Sequence, residues 1–577
     1  MRTSDKVSFL PATPEECHQR GWDYVDIVLV TGDAYIDHPS FGIALIGRWL
    51  EANGYRVAIL SQPRHNNAQD FKKFGKPRLF FGISAGNLDS IVANYTGNAR
   101  IRKKDAYSPQ GNPYFDGPKT KSNRRRPDRA VIKYGNLAKQ AYPGVPVVLG
   151  GIEASLRRFI HYDFQQERLR NSVLVDSKAD ILVYGMGERA ILDIAKRIES
   201  GEALDSIPGT CIRLSQKQME QYKFKTEPIK LPGWQDIEKQ KALFLDAELA
   251  IDKASRSGTT SNLLQQQKGN MHILQNRPAE PLSQAELDAL YELPFTRETH
   301  PIFKNVPALD TIRNSITIVR GCSGNCSFCA IARHQGPQII SRSKKSILRE
   351  IESVSSKKAF KGTITDLGGP TANLYGASCE LGYKCKKKDC LYPEVCKRFN
   401  ANEKEFLNLL RKAKKIPRIK HIFVSSGLRI ELLLKTPKLL KEILLNHTPG
   451  ILKVAPEHTE EEVLKLMHKP DGLLMEEFLT KCRKISRSAS KKVEITAYFM
   501  TSHPGCTIAH MKSMQKKLKK WRLAVRQFQD FTPTPGTLST AMYVTGLDRY
   551  TKEPIYVARK RGERKAQRKI LETLMRH

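Results

Sequence analysis

Two successive runs of apolar strand and amphipathic helix, separated by a polar stretch, limit what this 577-residue chain can fold into. The first run opens with "YVDIVLVTG". It continues through "FGIALIGRWLEANG", which has helical spacing and closes at Gly54, to "RVAILSQP". "RLFFGISAG" (78–86), "VPVVLGG" (145–151) and "ILVYGMG" (181–187) extend it, the last leading into "ERAILDIAKRIES". Strands that are apolar throughout and alternate with helices belong to a parallel sheet covered on both faces. Residues 1–235 are therefore expected to form a doubly wound α/β domain with ligand crevices at its strand ends. The polar insert at 96–128 reads as a loop or a partner-ordered segment.

Residues 236–305 read as a helical connector rather than more sheet, with a capping box at Ser283 and Glu286. The second run then supplies six strands: "SITIVR" (315–320), "TITDLG" (363–368), "HIFVSSG" (421–427), "ILKVAPE" (451–457), "VEITAYFMT" (493–501) and "RQFQDFTPT" (526–534). Helices such as "KKSILREIESVSSK", "NEKEFLNLLRKAKK" and "TEEEVLKLMHK" stand between them. Six such units predict a partial (β/α)6 barrel over 306–545, with its chemistry at the C-terminal strand ends. Residues 546–577 read as a basic tail.

"RGCSGNCSFCAIARHQG" follows the first of these six strands and holds Cys322, Cys326 and Cys329 inside eight residues. Structural zinc wants four ligands, and a disulfide wants two. A [4Fe–4S] cubane has four irons that each want one outer ligand, so three thiolates hold three corners and leave one open. Gly321 and Gly324 let the backbone turn tightly there. The competing reading is a zinc loop completed by His334 or a distant cysteine.

The spacing C-x3-C-x2-C, with Phe328 before the last cysteine, resembles the signature of the radical S-adenosylmethionine (SAM) enzymes. That resemblance implies SAM chelating the open iron, and reductive cleavage to a 5′-deoxyadenosyl radical. In "TDLGGPTANLYG", Gly368 and Gly369 are similar to the glycine pair whose backbone meets the SAM amino group, with Pro370 where an acid often stands. In "SSGLRIE", Ser425 and Ser426 offer hydroxyls for ribose, and Arg429 offers a fork for a carboxylate. "GIEASLRRFIHYDF", "DSKADILVYGMGERA", "KVAPEH", "SHPG" and "QDFTPTPGTLSTAMY" together resemble the YgiQ-like family of radical SAM proteins across nearly the whole chain. The resemblance implies a cobalamin-binding-like front domain but no substrate. The usual D-x-H-x-x-G motif is absent, since Asp37 directly precedes His38 in "GDAYIDHPSFG", which argues against cobalamin.

Four more cysteines, Cys379, Cys385, Cys390 and Cys396, lie within eighteen residues amid lysines. Their spacing fits zinc, a second iron–sulfur cluster or unligated thiols. Cys17, Cys211 and Cys482 have no partners by pattern, while Cys506 follows the fifth strand. Glu457, His458, His503 and Asp530 sit at or near strand ends, and no catalytic role is assigned to them. A net charge of +37 favours polyanions, so RNA or the ribosome is a candidate partner beside a one-electron reductant. No run approaches the ~18–20 apolar residues of a membrane span. The N-terminal stretch lacks a signal core, so a cytoplasmic location is expected. A methylthiotransferase-like modifier of RNA or ribosomal protein is an alternative, but such enzymes use three front-domain cysteines and this front domain has only Cys17 and Cys211. A non-catalytic iron–sulfur or zinc protein that docks on RNA is another.

Overall fold

The structure, a computed structural model, describes residues 8–256, 261–382, 385, 389–523 and 525–575. The chain divides into two compact units. The first comprises residues 1–247, 259–280 and 289–313, and the second comprises 248–258, 281–288 and 314–577.

The first unit is built on a nine-stranded sheet. Val57–Ser61, Ile27–Thr31, Phe80–Ile83, Val147–Leu149 and Ile181–Val183 lie side by side and parallel. Every residue of Ile27–Thr31, Phe80–Ile83, Val147–Leu149 and Ile181–Val183 is buried, which is why these segments read as unbroken apolar runs. The helices Gly42–Ala52, Ala130–Ala141 and Glu188–Ser200 connect or follow them.

Beyond Ile181–Val183 the sheet turns antiparallel, through Thr210–Ser215, Met271–Gln275 and Leu263–Gln266, and ends with Ile229–Lys230 parallel to Leu263–Gln266. The stretch 236–305 thus departs from a purely helical connector, because 263–275 is a hairpin of the front sheet. Its Gln-rich strand looked too polar for an interior. Gln265 and Gln267 are nevertheless buried, with their amide oxygens accepting from the Ile160 and Ser172 backbone N–H groups. The insert at 96–128 is tied into the first unit. Buried Arg126 pins it through ion pairs to Asp33 (2.5 Å) and Asp105 (2.9 Å).

In the second unit the six expected strands form at Ser315–Arg320 (broken at Ile318), Thr363–Gly368 (broken at Thr365), His421–Ile422, Ile451–Glu457, Glu494–Thr501 and Gln527–Asp530. The first pairs with the second, the second with the third, the fourth with the fifth and the fifth with the sixth, all parallel. Helix Lys344–Ser356 shows how the intervening helices form: Ser343 caps it by accepting from Ser346 N–H, and Ile347, Ile351 and Val354 bury one stripe.

Residues 546–575 are more than a basic tail, because they pack on the second unit. Helix Arg561–Glu572 buries Arg564, Gln567 and Leu571. Gln567 accepts from Ser502 N–H (2.8 Å) and donates to the Cys506 carbonyl (2.7 Å), while Arg564 donates to the Phe531 carbonyl (2.6 Å). These bonds tie the helix to the ends of the fifth and sixth strands. No helix among the described residues is long and apolar enough to cross a membrane.

Candidate functional site

The three-cysteine loop leaves the first barrel strand through Gly321, whose φ of 78° and close approach to the Gln338 carbonyl admit no side chain. Gly321 N–H donates to Gln335 Oε1 (3.2 Å) and Cys322 N–H to the Gly336 carbonyl (3.1 Å), so the loop closes against the turn after helix Ala330–Gln335. Cys329 N–H donates back to the Cys326 carbonyl (3.1 Å), and Ser327 N–H to the Met467 carbonyl (2.9 Å). Burial, and then the neighbouring Cys326 and Cys322, push the Cys329 thiol up to about 12.

Arg429, at the end of the third strand, reaches this loop. Its Nη1 lies 3.7 Å from Cys326 Sγ, and its Nε donates to Glu431 Oε1 at 2.5 Å. A Cβ at Gly324 would collide with Nη1, so that glycine clears the path of the guanidinium. Nη2 is buried without a hydrogen-bond partner. Burial opposes the charge, but Glu431 and the Cys326 and Cys322 sulfurs outweigh it and raise the pKa of Arg429.

A cavity of about 170 Å³ opens between these groups, lined by the three cysteines, Pro370, Arg429 and Glu457 among others. It draws on the ends of four consecutive strands. Glu457 has φ 69°, and the fourth strand's register with the fifth slips between Val454 and Glu457. Such a bulge re-aims a side chain. Glu457 is 7 % exposed, its carboxyl Oε2 is buried without a hydrogen-bond partner, and burial raises its pKa to about 7 with Lys469 opposing.

The remaining strand-end candidates are engaged inside the protein. His503 Nε2 bonds Ser539 Oγ (2.7 Å), its Nδ1 donates to the Pro504 carbonyl (2.8 Å), and burial lowers its pKa to about 3. His458 lines the cavity, accepts at Nδ1 from Glu460 N–H and turns Nε2 to Cys506 Sγ at 3.5 Å. Cys506 is buried and also donates to Gln567. Asp530 accepts from Thr501 Oγ1 (2.7 Å). In the first unit, His38 is buried and accepts at Nδ1 from Ser40 N–H, while Asp37 pairs with Arg48 (2.6 Å).

Family models match along almost all of this chain. Residues 9–315 match the Radical SAM N-terminal family and 316–518 the Radical SAM superfamily. The chain is a radical SAM protein. Residues 526–574 match a domain of unknown function, DUF3362, so the Arg561–Glu572 helix lies within a recognised domain. Among the relatives of this radical SAM protein, a UPF0313 protein of Thermotoga neapolitana is 46% identical over 563 residues, 96% of each chain. A UPF0313 protein of Methanosarcina acetivorans is 44% identical over 590 residues, covering 98% of this chain and 78% of the relative. With these relatives it belongs to the YgiQ-like radical SAM proteins. In fold it resembles the radical SAM methyltransferase TsrM of Kitasatospora setae, with a TM-score of 0.50 at 14% identity over 88% of this chain and 74% of the other.

This radical SAM protein brings Cys322, Cys326, Cys329 and Arg429 to one cavity, and Gly368, Gly369 and Ser426 stand within two residues of its lining residues Pro370 and Gly427. Asp366, which carries no sequence signature, braces these strand ends. Its Oδ1 accepts from Ser425 N–H (2.7 Å) and Ser426 N–H (3.0 Å), and its Oδ2 accepts from Ser426 Oγ. Burial raises the Asp366 pKa, with the Ser426 and Ser425 hydrogen bonds opposing. A Cβ at Gly368 would strike this Asp366–Ser426 pair, and one at Gly369 would strike Val319. Both glycines are needed for packing within the protein.

Proposed function

We propose that this chain is an enzyme that binds a [4Fe–4S] cluster through Cys322, Cys326 and Cys329 and reductively cleaves SAM. The reading is carried by the three thiols at one cavity beside a buried guanidinium whose Nη2 has no partner. Three thiols on one loop suit three corners of a cluster and leave the fourth iron open. When bound, cluster and SAM supply a one-electron cleavage that yields a 5′-deoxyadenosyl radical able to take hydrogen from a substrate.

The chain's own part is ligation, orientation and exclusion of water. Arg429 lines the cavity with an Nη2 that has no hydrogen-bond partner, and its fork suits a carboxylate there. Glu431 keeps that guanidinium in place from the far side. Asp366 and Ser426 fix the third strand end from which Arg429 projects, Gly368 lets the second strand pack against it, and Gly369 lets the second strand pack against Val319 of the first. The reaction calls for a one-electron reductant as partner.

The test is anaerobic reconstitution with iron and sulfide, then SAM and dithionite. The expected product is 5′-deoxyadenosine, lost together with the cluster absorbance in C322A/C326A/C329A. SAM cleavage by that triple variant sinks the reading.

A further inference from the structure

The connection after the second barrel strand carries Cys379, Cys385, Cys390 and Cys396, which the reaction proposed above does not use. Its backbone doubles back on itself. Ser378–Cys379 runs antiparallel to Phe399–Asn400, with Cys379 opposite Phe399. Phe399 N–H donates to the Cys396 carbonyl (3.0 Å), and Cys396 N–H to the Cys390 carbonyl (2.9 Å). The fold thus brings the first cysteine to the last and rests the last on the third. Cys379, Cys385 and Cys396 all lie near enough to Cys390 to act on it electrostatically. None of the four is in a disulfide.

Little else holds this segment. Among its described residues, only Leu391 and Val395 are buried apolar side chains between 378 and 400. A stretch with so small a core needs a staple. Four thiolates on one ion fill a tetrahedron and leave no open position, the signature of structural rather than catalytic zinc. Cys396 is exposed and the other three are half-buried. A redox-inert ion suits a site that open to water. A zinc tetrathiolate carries a formal charge of about −2, and the sequence sets Lys384, Lys386, Lys387 and Lys388 around Cys385.

We propose that Cys379, Cys385, Cys390 and Cys396 bind one structural Zn²⁺, and that this staple positions Asp389 against the loop of Cys322 and Cys326. The four sulfurs do not yet meet at one point among the described residues. Loss of their protons on ligation draws them onto the ion. Asp389, between Cys385 and Cys390, accepts from Arg256 Nη1 (2.8 Å), His468 Nε2 (3.0 Å) and Asn325 Nδ2 (3.4 Å). Asn325 stands between Cys322 and Cys326, and its φ of 49° is a conformation that a polar anchor helps to hold. His468 is fixed in turn by Tyr550 Oη at 2.6 Å.

Zinc, iron and sulfide are measured on the full chain, on C390S/C396S and on C322A/C326A/C329A. The expected result is about one zinc per chain in the parent and the triple variant, and none in the double variant. No zinc in the parent, zinc kept in the double variant, or extra iron and sulfide lost with it each overturns the assignment. Should C390S/C396S fail to fold, the parent exchanged into Co²⁺ decides: thiolate-to-cobalt charge-transfer bands of a tetrahedral site are expected, and their absence overturns it. The link to the first loop rests on the cluster reading above and has its own readout. Asp389→Asn should keep zinc yet load less iron at Cys322, Cys326 and Cys329, and a full iron load overturns the link. Zinc content is independent of SAM chemistry, so the two proposals fail separately.

Discussion

Arg429 and Glu457 face the same cavity with opposite charge logic, and each sets a measurable expectation. For Arg429, a charge-assisted pair with a SAM carboxylate contributes roughly 1.5–3 kcal/mol. Arg429→Ala should therefore weaken SAM binding by about ten- to a hundredfold in the cluster-loaded protein. Arg429→Lys keeps the charge but loses the fork, and should bind more weakly than the parent. Unchanged affinity in the alanine variant, with its cluster intact, removes Arg429 from the site. For Glu457, burial raises the folded pKa from 4.5 to about 7. Between these values the folded state holds a proton that the unfolded state has released, so its stability falls as pH rises. The whole window corresponds to about 3 kcal/mol at most. Glu457→Gln should thus gain on the parent from about pH 4.5 to 7 and hold that gain above, as read from denaturant midpoints. An advantage that does not change with pH would mean that the carboxyl is solvated. Arg429 was legible because a cation at a strand end suggests an anion. Asp366 was not, since it works through two backbone N–H groups and a hydroxyl that pattern does not reveal. Nor could spacing announce the left-handed backbone of Glu457.

Elements were legible where burial was apolar and hidden where it was polar. The front parallel strands and all six barrel strands appear where apolar runs placed them, and helix Glu188–Ser200 matches its segment end to end. The hairpin at 263–275 was hidden because Gln265 and Gln267 are buried through hydrogen bonds, leaving no apolar alternation to read. The Arg561–Glu572 helix was hidden for a related reason: of its buried residues, only Leu571 is apolar. Its attachment depends on Gln567, which satisfies Ser502 N–H and the Cys506 carbonyl together. Gln567→Ala orphans both of these buried groups, at about 1–3 kcal/mol each, and also removes the acceptor of the Cys506 thiol. A melting midpoint lower by several degrees is expected, with Gln567→Glu intermediate because it keeps the acceptor and loses the donor. A midpoint unmoved in Gln567→Ala would show that the helix is held by other contacts.

Charge acts at the scale of the whole molecule. Buried pairs such as Arg48–Asp37, Arg126–Asp33 and Arg157–Asp89 remove one charge of each sign, so the surplus of +37 remains outside them. We propose that this surplus draws polyanions. Retention of an unstructured RNA should fall steeply as salt rises, with a log–log slope set by the number of phosphates neutralised. Absence of retention even at low salt strikes RNA from the partners.

The order in which the chain visits its two units has a consequence for recombination. The second unit takes 248–258 and 281–288 from the middle of a stretch that otherwise builds the first. A single crossover with a relative at 235/236 separates Met271–Gln275 from Thr210–Ser215, its neighbour in the front sheet. A crossover at 305/306 leaves those two short segments attached to a foreign barrel. Functional chimaeras between homologues should therefore come from exchanges inside one unit, and halves swapped at one junction should be recovered far less often.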